Sequence, residues 1–204
     1  MVKVLFEDNH LLALNKPKGL ATQKSSGNED NLEDQAKAYI KRTKNKPGDV
    51  FLHPIHRLDK PTSGVVLFAK TSKALSRLQE MMREGKIKKT YVAICEGKLD
   101  PKEATLKHNL LHKSHRAEVS KEGKPCILHY KVSEYTKDTS IVSVELVTGR
   151  YHQIRAQFSA IGHPILGDSK YDSKMPYKRD TIALHHKKLE FIHPVTKELV
   201  EITA

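Results

Sequence analysis

His56-Arg57-Leu58-Asp59-Lys60-Pro61-Thr62-Ser63-Gly64 runs directly into Val65-Val66-Leu67-Phe68-Ala69. A short apolar run bounded by turn residues predicts a buried strand. Pro61 and Gly64 mark the polar part as a tight loop. A loop tied to a rigid strand can present Asp59 without covering it. The hydroxyls of Thr62 and Ser63 are suited to hydrogen-bond a carboxylate, and Gly64 has no side chain to block a close approach. From spacing alone, the simpler account is a turn closed by a surface pair between Arg57 and Asp59, so the loop by itself decides local structure and not chemistry.

Upstream, Val2, Val4 and Phe6 alternate with polar residues, Asp8-Asn9 offers turn chemistry, and Leu11 to Leu14 resumes an apolar run. This predicts an N-terminal hairpin ending at Lys16-Pro17-Lys18-Gly19. Residues 24 to 30 read as a polar, glycine-containing loop. Leu32, Ala36, Tyr39 and Ile40 then keep helical spacing up to a stop at Lys46-Pro47-Gly48, a helix of about three turns.

Downstream, Ser72 is the expected N-cap of a second helix, with Leu75, Leu78 and Met82 on one face and Gly85 as its stop. A strand follows over Lys89-Thr90-Tyr91-Val92-Ala93-Ile94. From 104 to 147 the pattern is mostly strands, with Val142, Val144 and Leu146 opposite Ile141, Ser143 and Glu145. Residues 151 to 161 return to helical spacing through Ile154, Phe158 and Ile161, and Gly162 closes the segment. Many strands with scattered helices predict an α+β architecture around a largely antiparallel sheet, without internal repeats.

A chain of 204 residues is long enough for one domain with a real core, and 38% hydrophobic with 29% charged residues is a globular balance that excludes a disordered or membrane-embedded chain. Lys and Arg number 36 against 24 Asp and Glu, giving 36 − 24 = +12 with His neutral. That sign attracts polyanions, although a basic surface also serves plain solubility. Cys95 and Cys126 form no C-x-x-C pair and sit in strand-like runs, as small hydrophobes do. Twelve histidines show no H-E-x-x-H or paired Cys-His spacing, so no metal is expected. The N-terminus reaches Glu7-Asp8 too soon for a signal peptide and no run is long enough to span a membrane, so the expected compartment is cytoplasmic.

The segment His56 to Gly64 resembles the active-site signature of RluA-like RNA pseudouridine synthases. The rest of the chain agrees in order. Residues 10 to 22 resemble that family's opening strand and its Lys-Pro-x-Gly turn, and Lys88-Lys89-Thr90-Tyr91 resembles its tyrosine motif. Thr148-Gly149-Arg150-Tyr151-His152-Gln153-Ile154-Arg155 followed by Gly162-His163-Pro164-Ile165-Leu166-Gly167-Asp168 resembles its C-terminal motif. Ala183-Leu184-His185 with Phe191-Ile192-His193-Pro194 resembles its closing hairpin.

The resemblance implies a pseudouridine synthase-like catalytic domain over residues 1–204, in two lobes with a central RNA-binding cleft. The motifs begin near residue 10, so it implies the catalytic domain without the small N-terminal RNA-binding domain that many members carry. It implies an isomerase that needs no cofactor, acting as a monomer without an obligate protein partner on structured RNA, ribosomal or transfer. Asp59 would be the catalytic carboxylate, Tyr91 the active-site tyrosine, and Arg155 the partner that keeps Asp59 ionised and oriented. Arg57 would enter the RNA stack where the target uridine is flipped out. Leu146 and Val147 are candidates for the apolar wall under uracil, with Arg150 and His152 also assigned to the substrate. An inert RNA-binding module on the same fold is the alternative, and retention of Asp59, Tyr91 and Arg155 together argues against it. A metal-dependent nuclease or deaminase would need paired acidic ligands or a Cys-x-x-Cys motif that the sequence lacks.

Overall fold

The computed structural model describes residues 2–24, 30–45 and 47–204. Most of the polar loop expected over residues 24 to 30, and Lys46 of the expected helix stop, therefore lie outside the described residues. The chain divides into two compact units, Met1–Ile87 with Lys187–Ala204, and Lys88–His186.

In the first unit, β1 (Lys3–Glu7) and β2 (Leu11–Lys16) form the expected antiparallel hairpin. Asp8 makes its turn, with Oδ1 accepting from the backbone N–H of His10 at 2.7 Å and of Leu11 at 2.6 Å, the local bonding that favours aspartate in turns. Strand β2 pairs antiparallel with β4 (Ser63–Ala69), and a short β3 (His53–Pro54) also pairs with β4. Every residue of β4 is buried, as a continuous apolar run requires.

Helix α1 (Leu32–Thr43) has the expected length and buries Leu32, Ala36 and Ile40. Its N-cap is Asn31, whose Oδ1 accepts from Asp34 N–H at 2.9 Å. Helix α2 (Ser72–Arg83) corrects the expected cap by one residue: Thr71 is extended and its hydroxyl accepts from Ala74 N–H at 3.2 Å, whereas Ser72 is already helical. Two adjacent hydroxyl residues are both competent caps, and the one whose backbone stays extended takes the role. Gly85, at φ +69°, follows the helix in the left-handed region that glycine adopts without penalty. The unit's core joins Leu11, Ala13, Val65, Leu67 and Ala69 of the sheet to Ala74 and Leu78 of α2. Leu189 and Phe191 of β10 (Leu184–Ile192) and Ile202 of β11 (Leu199–Thr203) complete it.

The second unit is built on five antiparallel strands: β5 (Lys88–Glu96), β6 (Glu103–His112), β7 (Ala117–Val119), β8 (Lys124–Tyr135) and β9 (Thr139–Leu146), in the order β5-β9-β8-β6-β7. On β9, Val142, Val144 and Leu146 are buried while Ile141, Ser143 and Glu145 are not, as their alternation predicts. Helix α3 (Gln153–Ala160) buries its first six residues, among them the polar Gln153, Arg155 and Gln157. Cys95 and Cys126 are buried free thiols whose pKa values burial pushes up. Among the described residues no helix is long and apolar enough to cross a membrane.

Leu78 is fully buried where α2 meets the sheet. Leu78→Ala is expected to lower the unfolding free energy by about 2–5 kcal/mol, against under about 0.5 kcal/mol for a change at exposed Lys73, measured as the shift in the urea midpoint.

Candidate active site

Asp59 sits on a loop anchored on both sides by the turn that ends β2. On the near side, the Thr22 hydroxyl donates to the Leu58 carbonyl at 2.9 Å and accepts from the Leu58 N–H at 3.0 Å. On the far side, the Lys60 carbonyl accepts from Gly19 N–H at 2.8 Å and from the Lys16 ammonium at 3.3 Å. Within the loop, Thr62 N–H donates to the Asp59 carbonyl at 2.9 Å, closing the turn. Thr62 thus contributes a backbone bond to the residue whose carboxylate its hydroxyl was expected to serve. Gly64 and Gly19 lie at φ +119° and +82°, so both positions call for glycine on backbone grounds alone.

Lys16 has no solvent exposure. Its ammonium is held by three carbonyls, those of Leu20 at 2.6 Å, Pro17 at 3.0 Å and Lys60. Burial lowers its pKa from 10.5 to about 8, with the negative charge of Asp59 acting in the opposite direction. A buried cation therefore lies in the field of a half-buried carboxylate whose backbone neighbours are fixed. Arg57, two residues before Asp59, is exposed.

In the second unit, residues 148–152 turn from β9 into α3, and Gln153 holds that turn. Its side-chain carbonyl accepts from the Thr148 hydroxyl at 2.8 Å and from Arg150 N–H at 3.0 Å, while its amide donates to the Ile127 carbonyl at 3.0 Å. The exposed Arg150 donates from Nε to the Pro125 carbonyl at 3.2 Å. His152 caps α3 in the left-handed conformation, φ 51°, with Nδ1 2.9 Å from the Tyr171 hydroxyl. Arg155, in the first turn of the helix, is 5% exposed and makes a fork with Asp168: Nε to Oδ2 at 2.6 Å and Nη2 to Oδ1 at 2.8 Å. Its guanidinium lies 5.0 Å from the Tyr171 ring centroid.

Tyr91, on β5, is buried and stacks on His186 with ring centroids 4.4 Å apart. The neighbouring Lys89 is also buried, which lowers its pKa. Leu146 and Val147 part company at the end of β9: Leu146 is 9% exposed and Val147 44%, so they meet different surroundings. The structure thus gathers Arg150, His152 and Arg155 around Gln153 and Tyr171, and sets Arg57 and Asp59 on one anchored loop. Among the described residues, no three or more His, Cys, Asp or Glu side chains gather as a metal site would require.

A family model for RNA pseudouridylate synthase matches residues 10–160, a span that includes the anchored loop, Tyr91 and α3. The chain belongs to the RNA pseudouridylate synthase family. Among relatives, "Uncharacterized RNA pseudouridine synthase YhcT" of Bacillus subtilis (strain 168) is 38% identical over 204 residues, covering 97% of this chain and 66% of that protein. "Ribosomal large subunit pseudouridine synthase C" of Escherichia coli (strain K12) is 37% identical over 214 residues, covering 98% of this chain and 65% of that one. The chain thus spans just under two thirds of these relatives' length. The solved structure of "Human RNA Pseudouridylate Synthase Domain Containing 4" matches with a TM-score of 0.83 at 22% identity, over 99% of this chain and 87% of that one. The pseudouridine synthase fold expected from the motifs is the fold observed.

Four residues of this family member stand out in the structure although sequence reasoning gave them no role. Lys16, Thr22 and Asp168 lie inside or beside the quoted motifs, yet nothing local shows which backbone or side chain they reach. Tyr171 follows Asp168 by three residues and carries no motif signal of its own.

Lys16 offers a direct check. Its folded pKa, near 8, lies below the ordinary 10.5, so between those values the unfolded chain binds more protons and stability rises with pH. Comparing urea midpoints at pH 7.5 and 10, flanking most of that window, Lys16→Met is expected to lose this rise relative to the unsubstituted protein. An equal rise in both would contradict the burial of a charged Lys16.

Proposed function

We propose that the chain is an RNA pseudouridine synthase that isomerises selected uridines in structured RNA, with Asp59 as its catalytic carboxylate. The observation that carries the reading is an acid in the family-matched span whose flanking residues, Leu58 and Lys60, are both hydrogen-bonded to the β2 turn. The names of the relatives favour large-subunit ribosomal RNA as the substrate class, and the +12 charge suits any such polyanion. On this reading the protein is a cytoplasmic, monomeric, cofactor-free isomerase.

The reaction breaks the bond between ribose and uracil nitrogen 1, turns the base, and joins the ribose to carbon 5. Carbon 5 loses its proton at the end and nitrogen 1, freed from the ribose, takes one up, so the product is an isomer of the substrate. A carboxylate serves as nucleophile, or as proton acceptor and stabiliser of positive charge developing on the sugar, and Asp59 takes one of these roles. The target must first leave its stack, and exposed Arg57 fills the gap. The Tyr91 ring packs on the uracil, and its hydroxyl helps to remove the carbon 5 proton. Arg155 orients Asp59; Asp168 engages two of the five N–H donors of Arg155 and fixes its guanidinium plane. Arg150, His152, Leu146 and Val147 complete the substrate contacts. An inert RNA-binding module would have no use for the joint retention of Asp59, Tyr91 and Arg155.

Tritium release from RNA carrying 5-tritiated uridine tests this reading. Asp59→Asn is expected to lower the rate by at least about 10²-fold with RNA affinity retained; turnover within about tenfold of the unsubstituted protein would overturn the assignment. Arg155→Ala is expected to lower the chemical step with RNA affinity little changed. If the two residues act as one unit, the double substitution costs far less than the sum of the single costs. Strict additivity would separate their roles.

A further inference from the structure

The second unit carries a ring column whose outer members, Tyr151 and His112, have no part in the proposed reaction. Its base is Tyr171, 1% exposed, whose hydroxyl accepts from Ala117 N–H at 2.7 Å and meets His152 Nδ1. His152 lies edge-on to Tyr171, with centroids 5.6 Å apart, and stacks on Tyr151 at 3.8 Å and 19°. Tyr151 in turn meets His112 at 4.1 Å and 40°. Burial falls along the column, from fully buried Tyr171 through half-buried His152 to Tyr151, 38% exposed, and exposed His112.

A column whose outer rings face solvent adds little to a core. It is nevertheless well fixed. His152 holds a left-handed backbone, φ 51°, which a non-glycine residue adopts at a cost and which concentrates at functional positions. Gln153 secures the turn that carries Tyr151, and Ala117 ties the β6–β7 hairpin, with His112, to Tyr171.

The surroundings are cationic. Residues 107–124 contain five Lys and Arg (Lys107, Lys113, Arg116, Lys121, Lys124) against two Glu (Glu118, Glu122). Lys113 lies 2.7 Å from Glu118, an exposed pair that contributes little and can exchange for a phosphate. Arg150 adjoins Tyr151 in the chain and is exposed.

We propose that the solvent end of this column, His112 backed by Tyr151, docks an unpaired base of RNA outside the reacting uridine, with Lys113 and Arg150 meeting the adjoining phosphates. A planar ring flanked by cations matches an unstacked base and its backbone, because every base offers a face to stack on and every linkage a negative charge. The site rests on the reading of the chain as an RNA-modifying enzyme and names where part of its affinity arises.

The test uses anisotropy titrations of the whole protein with a labelled single-stranded RNA of about 12 nucleotides and an abasic strand of the same length. The unsubstituted protein is expected to favour the strand with bases. His112→Ala and Tyr151→Ala are expected to lower affinity for it by about 5- to 100-fold and to erase the preference. Tyr151→Phe keeps the ring and should keep the preference. Lys113→Ala should weaken both strands alike and lessen the salt dependence of binding. His112 lies at the exposed end, so an unchanged thermal midpoint in His112→Ala shows that a loss is not misfolding. The proposal is overturned if His112→Ala and Tyr151→Ala bind the two strands as the unsubstituted protein does. Tritium release is read separately: a protein that prefers strands with bases but releases no tritium would retain this site and lose the proposed reaction.

Discussion

The Thr22 hydroxyl donates to the carbonyl of Leu58 and accepts from its N–H, and this pair of hydrogen bonds fixes the residue that precedes Asp59. A polar loop has few apolar contacts of its own, so its position must come from hydrogen bonds to something rigid. Here the rigid partner is the turn at the end of β2, a strand locked against fully buried β4. Lys16 and Gly19 repeat the device on the far side through Lys60. Buried polar groups must find partners, so Lys16, inside the protein and bonded to three carbonyls, holds the turn and loop in one arrangement.

The second unit solves the same problem with different residues. Arg155 and Asp168 form a buried, forked ion pair, with side-chain exposures of 6% and 1%. Removing two charges from water offsets most of what their attraction returns, so such a pair is weak evidence for stability. Its clear physical effect is orientation: a forked contact holds the guanidinium in one plane. Gln153 does for residues 148–152 what Thr22 does for Leu58, satisfying the donors and acceptors of a turn that presents Arg150 and His152.

Much of the fold was legible because it rests on short-range patterns. The spacing of Leu32, Ala36 and Ile40, of Leu75, Leu78 and Met82, and of Ile154 and Phe158 marked three helices, and alternation on β9 separated its two faces. The N-cap of α2 was displaced by one residue because Thr71 and Ser72 have equivalent capping chemistry and only backbone geometry separates them. Asp59, Tyr91 and Arg155 could be named because their motifs are contiguous stretches that need no knowledge of distant contacts.

Tertiary structure alone decided who holds those residues. Lysine is a surface residue by type, and nothing within the Lys-Pro-x-Gly turn shows that Lys16 reaches the Lys60 carbonyl, 44 positions away. Thr22 reaches across 36 positions to Leu58, Arg155 across 13 to Asp168, and Tyr171 across 54 to Ala117. The separation of Leu146 from Val147, one buried and one exposed, likewise follows from where β9 ends. Periodicity and motifs record each residue's own preference and its near neighbours. A hydrogen bond or ring contact between residues far apart in the chain exists only once the strands and helices between them have packed.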